Sequence, residues 1–265
     1  MSNSANVNEL FKNAQQEGSI SPGSLKALNV IGDLGQQIQE GLGVVADSVQ
    51  ASEVVLVTTM IDDSGSIRFA SNAQLVRDGH NQVIDALSKS KQNSSLLLHT
   101  RYLNGTVLFP YCALDQVVRM DQHNYDPNGG TPLYDQSVVL LGTVLAKTQE
   151  FSNSGVPART VTLIVTDGAD ESSRKATPGT VKAIVSDMLK QERHIIAAMG
   201  IDDGRTDFRQ VFGEMGIEDK WILTPGNSQS EIRKAFLLFS QSAVRASQNA
   251  ASFSKTSLGG FGGNP

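Results

Sequence analysis

The sequence predicts an α/β fold, a doubly wound and mostly parallel sheet with one antiparallel edge strand. Two observations carry that prediction. Residues 53–61 (EVVLVTTMI), 159–166 (RTVTLIVT) and 194–201 (HIIAAMGI) are short, rich in β-branched residues and nearly continuous in apolar character, as strands covered on both faces must be. Between them lie longer stretches whose apolar residues recur at helical spacing, and strands alternating with helices at these lengths make a parallel sheet with helices on both faces. The antiparallel strand comes from residues 95–103 and 106–111, joined by Asn104-Gly105, a dipeptide suited to a two-residue hairpin.

Taken in order, the elements read as follows. Residues 1–22 are polar and read as a mobile N-terminus. Over residues 24–49, Leu28, Ile31, Ile38, Leu42, Val45 and Val49 keep helical spacing, but Gly32, Gly35, Gly41 and Gly43 interrupt it, so residues 1–50 form a partly helical extension. Residues 51–250 form the domain. Within it, Val76, Gly79, Val83 and Leu87 share one face of a helix over residues 70–88. Thr131 and Pro132 fit the cap and first position of a helix that runs to about residue 151. Thr177-Pro178 repeats that signature ahead of Val181, Ile184, Val185, Met188 and Leu189. A short helix over 208–215 and a short strand over 220–223 follow. Ser228-Gln229-Ser230-Glu231 is a capping box opening a last helix with Ile232, Phe236, Phe239 and Ala243 in register. Residues 251–265, rich in Gly and Ser, read as a flexible tail.

Composition narrows the function. The 265 residues include 22 Lys plus Arg against 27 Asp plus Glu, a net charge of −5 that lacks the basic surplus of a nucleic-acid binder. Cys112 is the single cysteine, which excludes an intrachain disulfide and a cysteine-rich zinc site and favours a reducing compartment. No apolar run approaches the roughly 18 residues of a membrane helix, and the first residues lack a secretory pattern. The expectation is a soluble bacterial protein of the cytoplasm, with no membrane partner.

In open α/β sheets, ligands bind beyond the carboxyl ends of the strands. There the sequence places Asp62, Ser64 and Ser66 at alternate positions of one turn, Thr131 after Gly129-Gly130, and Asp167 ahead of Gly168. Two carboxylates and three hydroxyls, all oxygen donors from three loops, suit a hard divalent cation. This pattern resembles the von Willebrand factor type A (vWA) domain with its metal-ion-dependent adhesion site, over about residues 53–245. The three elements stand in that family's order: Asp62-x-Ser64-x-Ser66, then Gly-Gly-Thr131-Pro, then Thr-Asp167-Gly. The resemblance implies a Rossmann-like vWA fold. It implies Ser64, Ser66 and Thr131 as hydroxyl ligands of Mg²⁺ (Mn²⁺ or Ca²⁺ possible), with Asp62 and Asp167 acting directly or through water. It further implies no catalysis: a partner protein presents an Asp or Glu to the open coordination position, in an adaptor role within an intracellular complex.

The alternative is a metal-dependent phosphohydrolase of haloacid-dehalogenase-like type, which also places an aspartate after its first strand but expects a second where this chain has Ser64. Among other residues, Asp63 reads as a solvated neighbour, Asp170 as a loop carboxylate, and Asp202 and Asp203 as a solvated turn. Residues 121–126 (DQHNYD) read as a solvated loop, Tyr134 and Trp221 as core aromatics. His80, His99, His123 and His194 are scattered surface or strand positions without zinc-ligand spacing.

Overall fold

A computed structural model describes residues 6–262. Six strands form one sheet in the order β3-β2-β1-β4-β5-β6, with β1 (Val54–Ile61), β2 (Leu96–Tyr102), β3 (Val107–Ala113), β4 (Ala158–Thr166), β5 (His194–Gly200) and β6 (Ile222–Leu223). All pairings are parallel except β2 with β3, so the fold is the doubly wound sheet with one antiparallel edge strand that the sequence predicts. Every side chain of β1 is buried, which is why its apolar run shows no alternation. From β1 the chain winds outward to β2 and β3, and from β4 outward to β5 and β6. The direction reverses between β1 and β4, and a crevice opens there beyond the strand ends.

The domain's helices are α4 (Gly65–Phe69), α5 (Ala73–Ser88), α6 (Leu133–Asn153), α7 (Pro178–Lys190), α8 (Phe208–Glu214) and α9 (Gln229–Gln248). Helix α5 pairs with α9, while α6 packs on β1, β4 and α7. Most of α6 is buried, on nearly all sides, because the N-terminal extension covers the face that would otherwise meet water.

That extension is more ordered than its composition implies. Residues 7–16 form α1 (Val7–Gln16), capped by Asn6, with Val7, Leu10, Phe11 and Ala14 buried. Four apolar residues at helical spacing make a stripe narrow enough to hide in a polar segment and wide enough to pack on α6. The mobile reading is therefore corrected for residues 6–22; residues 1–5 lie outside the described residues. Helix α2 (Pro22–Leu28) is tied to α7 by Asp187, which accepts from the Ser24 hydroxyl at 2.6 Å and the Ser21 amide at 2.7 Å. Helix α3 (Leu34–Leu42) keeps Gly41 for a packing reason: a Cβ there would stand 2.8 Å from Thr143 Cγ2 of α6.

The C-terminal segment is also corrected. Residues 250–259 form α10 (Ala250–Gly259), capped by Asn249, with Phe253 only 1% exposed. Beyond it, the Phe261 ring meets Trp221 edge-on with centroids 4.9 Å apart. Two aromatic anchors suffice to dock a segment that is otherwise glycine and serine; residues 263–265 of the expected tail lie outside the described residues. Three histidines, His80, His99 and His194, are buried in hydrogen bonds to Thr100, the Phe109 carbonyl and Thr160. They are core polar groups, and only His123 is exposed. Among the described residues, no helix is long and apolar enough to cross a membrane.

Candidate metal centre

The Asp62 amide donates to the Val165 carbonyl, continuing the β1–β4 ladder one residue past β1. That register sets Asp62 beside Thr166, whose hydroxyl donates to Asp62 Oδ2 at 2.5 Å, while the Ser64 amide donates to Asp62 Oδ1 at 2.7 Å. Asp62 is thereby fixed at both oxygens beneath the turn. Ser64 stands at the cap of α4, yet its hydroxyl caps nothing. It lies 2.8 Å from the Ser66 hydroxyl, which in turn donates to Asp167 Oδ1 at 2.5 Å. Three oxygens from two loops thus form a contiguous row.

The third loop is stitched to the first. The amides of Asn128 and Gly129 donate to the Asp63 carbonyl, and the Gly65 amide donates to the Gly129 carbonyl. Gly130 packs closely on Ser172: a Cβ there would stand 2.5 Å from Ser172 Oγ, the atom that accepts from the Thr131 amide at 3.2 Å. Thr131 then departs from its expected role. Helix α6 begins at Leu133 with Pro132 as its cap residue. Its first amides are served from the loop after β4: Tyr134 donates to Asp170 Oδ1 and Ser173 Oγ, and Asp135 donates to Ser173 Oγ. With capping supplied from elsewhere, the Thr131 hydroxyl has no hydrogen-bond partner among the described residues, and Thr131 lines the same cleft as Ser64, Ser66 and Asp167.

Burial pushes Asp62 above the ordinary carboxylate range, against the opposing hydrogen bonds from Ser64 and Thr166. Burial also carries Asp167 up to about 6, with the charges of Asp62 and Asp203 adding to it and the Ser66 hydrogen bond resisting. Neither Asp62 nor Asp167 has a Lys or Arg partner among the described residues; the nearby Arg68 is engaged by Asp126 at 2.7 Å. Two buried carboxylates without a counter-ion are costly unless a cation neutralises them. The spacing agrees with that requirement. Neighbouring ligands of a six-coordinate Mg²⁺ lie about 3.0 Å apart, given metal–oxygen distances near 2.1 Å, and the row from Ser64 to Ser66 to Asp167 is spaced at 2.8 and 2.5 Å. No three His, Cys, Asp or Glu side chains gather into a metal-ligating group among the described residues; the donor set offered here is hydroxyl-rich instead.

Sequence reasoning missed several supporting groups. Asp63 is buried, not solvated: its carboxylate accepts from the Asn104 amide at 2.9 Å, and burial raises it to about 6. Tyr125, in the segment read as a solvated loop, is buried and donates through its hydroxyl to the Asp62 carbonyl. Asp170 serves α6, as described. Asp202 and Asp203 are exposed turn residues, as expected, each accepting amides of their own loop, and they also line the cleft. A threonine at the very end of an apolar strand was the available signal for Thr166. The cleft itself is open, about 1120 Å³, with Phe69 and Arg205 on its rim.

No family model matches the sequence, and no curated protein matches it. Solved structures match the fold. Proximal thread matrix protein 1 of the mussel byssus superposes with a TM-score of 0.50 at 16% identity, over 71% of this chain and 47% of that one. The pilus adhesin SpaC of Lactobacillus rhamnosus GG, in its open conformation, gives 0.54 at 14% identity, over 74% of this chain and 30% of that one. The chain thus spans less than half the length of either protein. At these identities the likeness is one of fold, and the fold is that of the vWA domain.

Proposed function

We propose that this chain is a divalent-metal-dependent protein–protein interaction module. Asp62, Ser64, Ser66, Thr131 and Asp167 hold a Mg²⁺ ion at the sheet's C-terminal edge, and an Asp or Glu of a partner protein completes its coordination. The observation that carries this reading is a pair of buried carboxylates without a Lys or Arg partner among the described residues, Asp167 joined to a row of serine hydroxyls at an open cleft and Asp62 held beneath that row by the Ser64 amide and the Thr166 hydroxyl. Neutral hydroxyls bring a cation to the site without cancelling its charge. The two carboxylates balance it only in part once hydrogen bonds have drawn on their oxygens, so an anionic side chain of a partner is attracted to it. A vWA fold is compatible with such a role, and the two similar structures are a pilus adhesin and a byssal thread protein.

The role is that of a non-catalytic adaptor in an intracellular complex, which fits a single, buried cysteine. The acidic cleft and the net charge of −5 disfavour nucleic acid. The phosphohydrolase alternative lacks support. Ser64 stands where that chemistry needs a second aspartate as the acid partner of its nucleophile.

Affinity purification with wild type and Asp62→Ala, in Mg²⁺ and in EDTA, tests the reading. A partner recovered only by wild type in Mg²⁺, with circular dichroism unchanged in EDTA, is the expected result. Equal recovery in all conditions contradicts it. Cooperative loss of helicity in EDTA makes the cation structural and contradicts it equally.

A further inference from the structure

Phe69 is 88% exposed, the most exposed large apolar side chain among the described residues. A single surface phenylalanine means little by itself. This one lines the same cleft as Ser64, Ser66, Thr131 and Asp167. It ends α4, three residues after Ser66, and helical neighbours at that spacing have Cβ atoms about 5–6 Å apart. The ring also leans back over the metal-binding turn: a Cβ on Gly65 would stand 3.5 Å from Phe69 Cε2. Its neighbour Arg68 is held by Asp126 at 2.7 Å, so no charge competes for the ring.

The other rim of the cleft is different. Arg205 lies on the loop after β5, across β4 from Phe69, and it makes no ion pair among the described residues. Two strand spacings separate those loops, about 10 Å, which is the width of one extended peptide with its side chains. Glycines at 129, 130 and 168 keep the floor between them low.

We infer that the cleft takes an extended protein segment in which the metal-binding carboxylate has an apolar side chain within two residues of it, and that Phe69 is the surface on which this side chain packs. The inference rests on the proposed metal-dependent module and names the chemistry of its partner. The spacing follows from chain geometry, because side chains two residues apart in an extended segment emerge on one face about 7 Å apart. That is somewhat longer than the roughly 5–6 Å between helical neighbours such as Ser66 and Phe69, so the apolar side chain reaches the exposed ring beyond the Phe69 Cβ. Arg205 shares its rim with Asp202 and Asp203, so the attraction for the partner's carboxylate comes from the bound cation and not from that rim.

The test is selection of random heptapeptides displayed on phage against the whole chain, eluted with EDTA after binding in Mg²⁺. The wild type is expected to enrich peptides with an Asp or Glu and with Leu, Ile, Met or Phe within two positions of it. Selection on Phe69→Ser should keep the acidic residue and lose the apolar one, and a peptide selected on wild type should bind that variant about tenfold more weakly. Phe69→Leu should restore most of the affinity. Manganese titration should give the same affinity for all three proteins, which separates Phe69 from the metal site. Acidic peptides without an apolar preference, or a preference that persists on Phe69→Ser, overturn the inference and leave the module standing. Absence of any EDTA-sensitive acidic selection overturns the module and this inference with it.

Discussion

Thr166→Val removes from beneath the candidate metal centre a hydroxyl whose proton goes to Asp62 and whose oxygen accepts from the Gly168 amide at 3.2 Å. The Thr166 hydroxyl lies 2.5 Å from Asp62 Oδ2 and 3.0 Å from the Gly168 carbonyl. It has one proton to give, and the nearer, charged acceptor takes it. Valine fills the same space but leaves Asp62 Oδ2 without that donor in a site closed to water. A hydrogen bond to a charged group contributes about 1.5–3 kcal/mol, which corresponds to about tenfold to a hundredfold in an equilibrium constant. The loss falls on the ionised form of Asp62, whose carboxyl burial already pushes upward, so a cation must compete with a more tightly held proton. Calorimetric titration with Mn²⁺ near neutral pH is the assay. Affinity within about twofold of wild type, in a variant with unchanged circular dichroism, would refute the claim that Thr166 holds Asp62 in its ionised, cation-ready state.

Three further outcomes follow from the same geometry. Asp63 and Asp167 stand at about 6 in the folded chain against an ordinary 3.8, so the folded state binds more protons than the unfolded one between those values. The contribution of these two carboxyls to the stability of the metal-free chain should therefore fall as pH rises from about 4 to about 6, against an opposite contribution from His80, His99 and His194, which burial holds below their ordinary 6.5, while Mn²⁺ affinity weakens below about 6. Urea midpoints in EDTA for wild type against an Asp63→Asn, Asp167→Asn variant isolate the carboxyl contribution, and manganese titrations across that window check the second sign. Thr131→Ala removes a hydroxyl that holds nothing in the fold, so urea unfolding should shift by no more than about 0.5 kcal/mol while Mg²⁺-dependent partner capture is lost; retained capture argues against Thr131 as a ligand. Phe253→Ala, in the segment that composition alone describes as a tail, should cost about 3 kcal/mol in the same unfolding assay, and a loss below about 1 kcal/mol would mean that α10 is not docked.

The sheet was legible because its strands are buried on both faces, so their apolar runs are uninterrupted and their ends fall where polar residues begin. The five candidate ligands are picked out by their recurrence over three loops at one sheet edge, since a single Asp or Ser at a strand end serves an ordinary turn equally well. What the sequence concealed is held by long-range partners. Thr131 reads as a helix cap because Ser173 and Asp170, about forty residues later in the chain, take over that duty in space. Asp63 reads as solvated because nothing local reveals that the Asn104 amide closes over it. The two ends were misread for another reason. Average composition says polar or glycine-rich, yet Leu10, Phe11, Phe253 and Phe261 need only one face each to dock.

The central claim is that Asp62 and Asp167 are two buried charges arranged for one cation. Electron paramagnetic resonance of Mn²⁺ tests it most directly, since the signal of the free ion falls as the ion is bound. Titrating the whole chain near neutral pH should show one site, displaced by excess Mg²⁺, and no site in an Asp62→Ala, Asp167→Ala double variant that remains folded. One equivalent of bound Mn²⁺ in that double variant, held as tightly as by the wild type, would contradict the account.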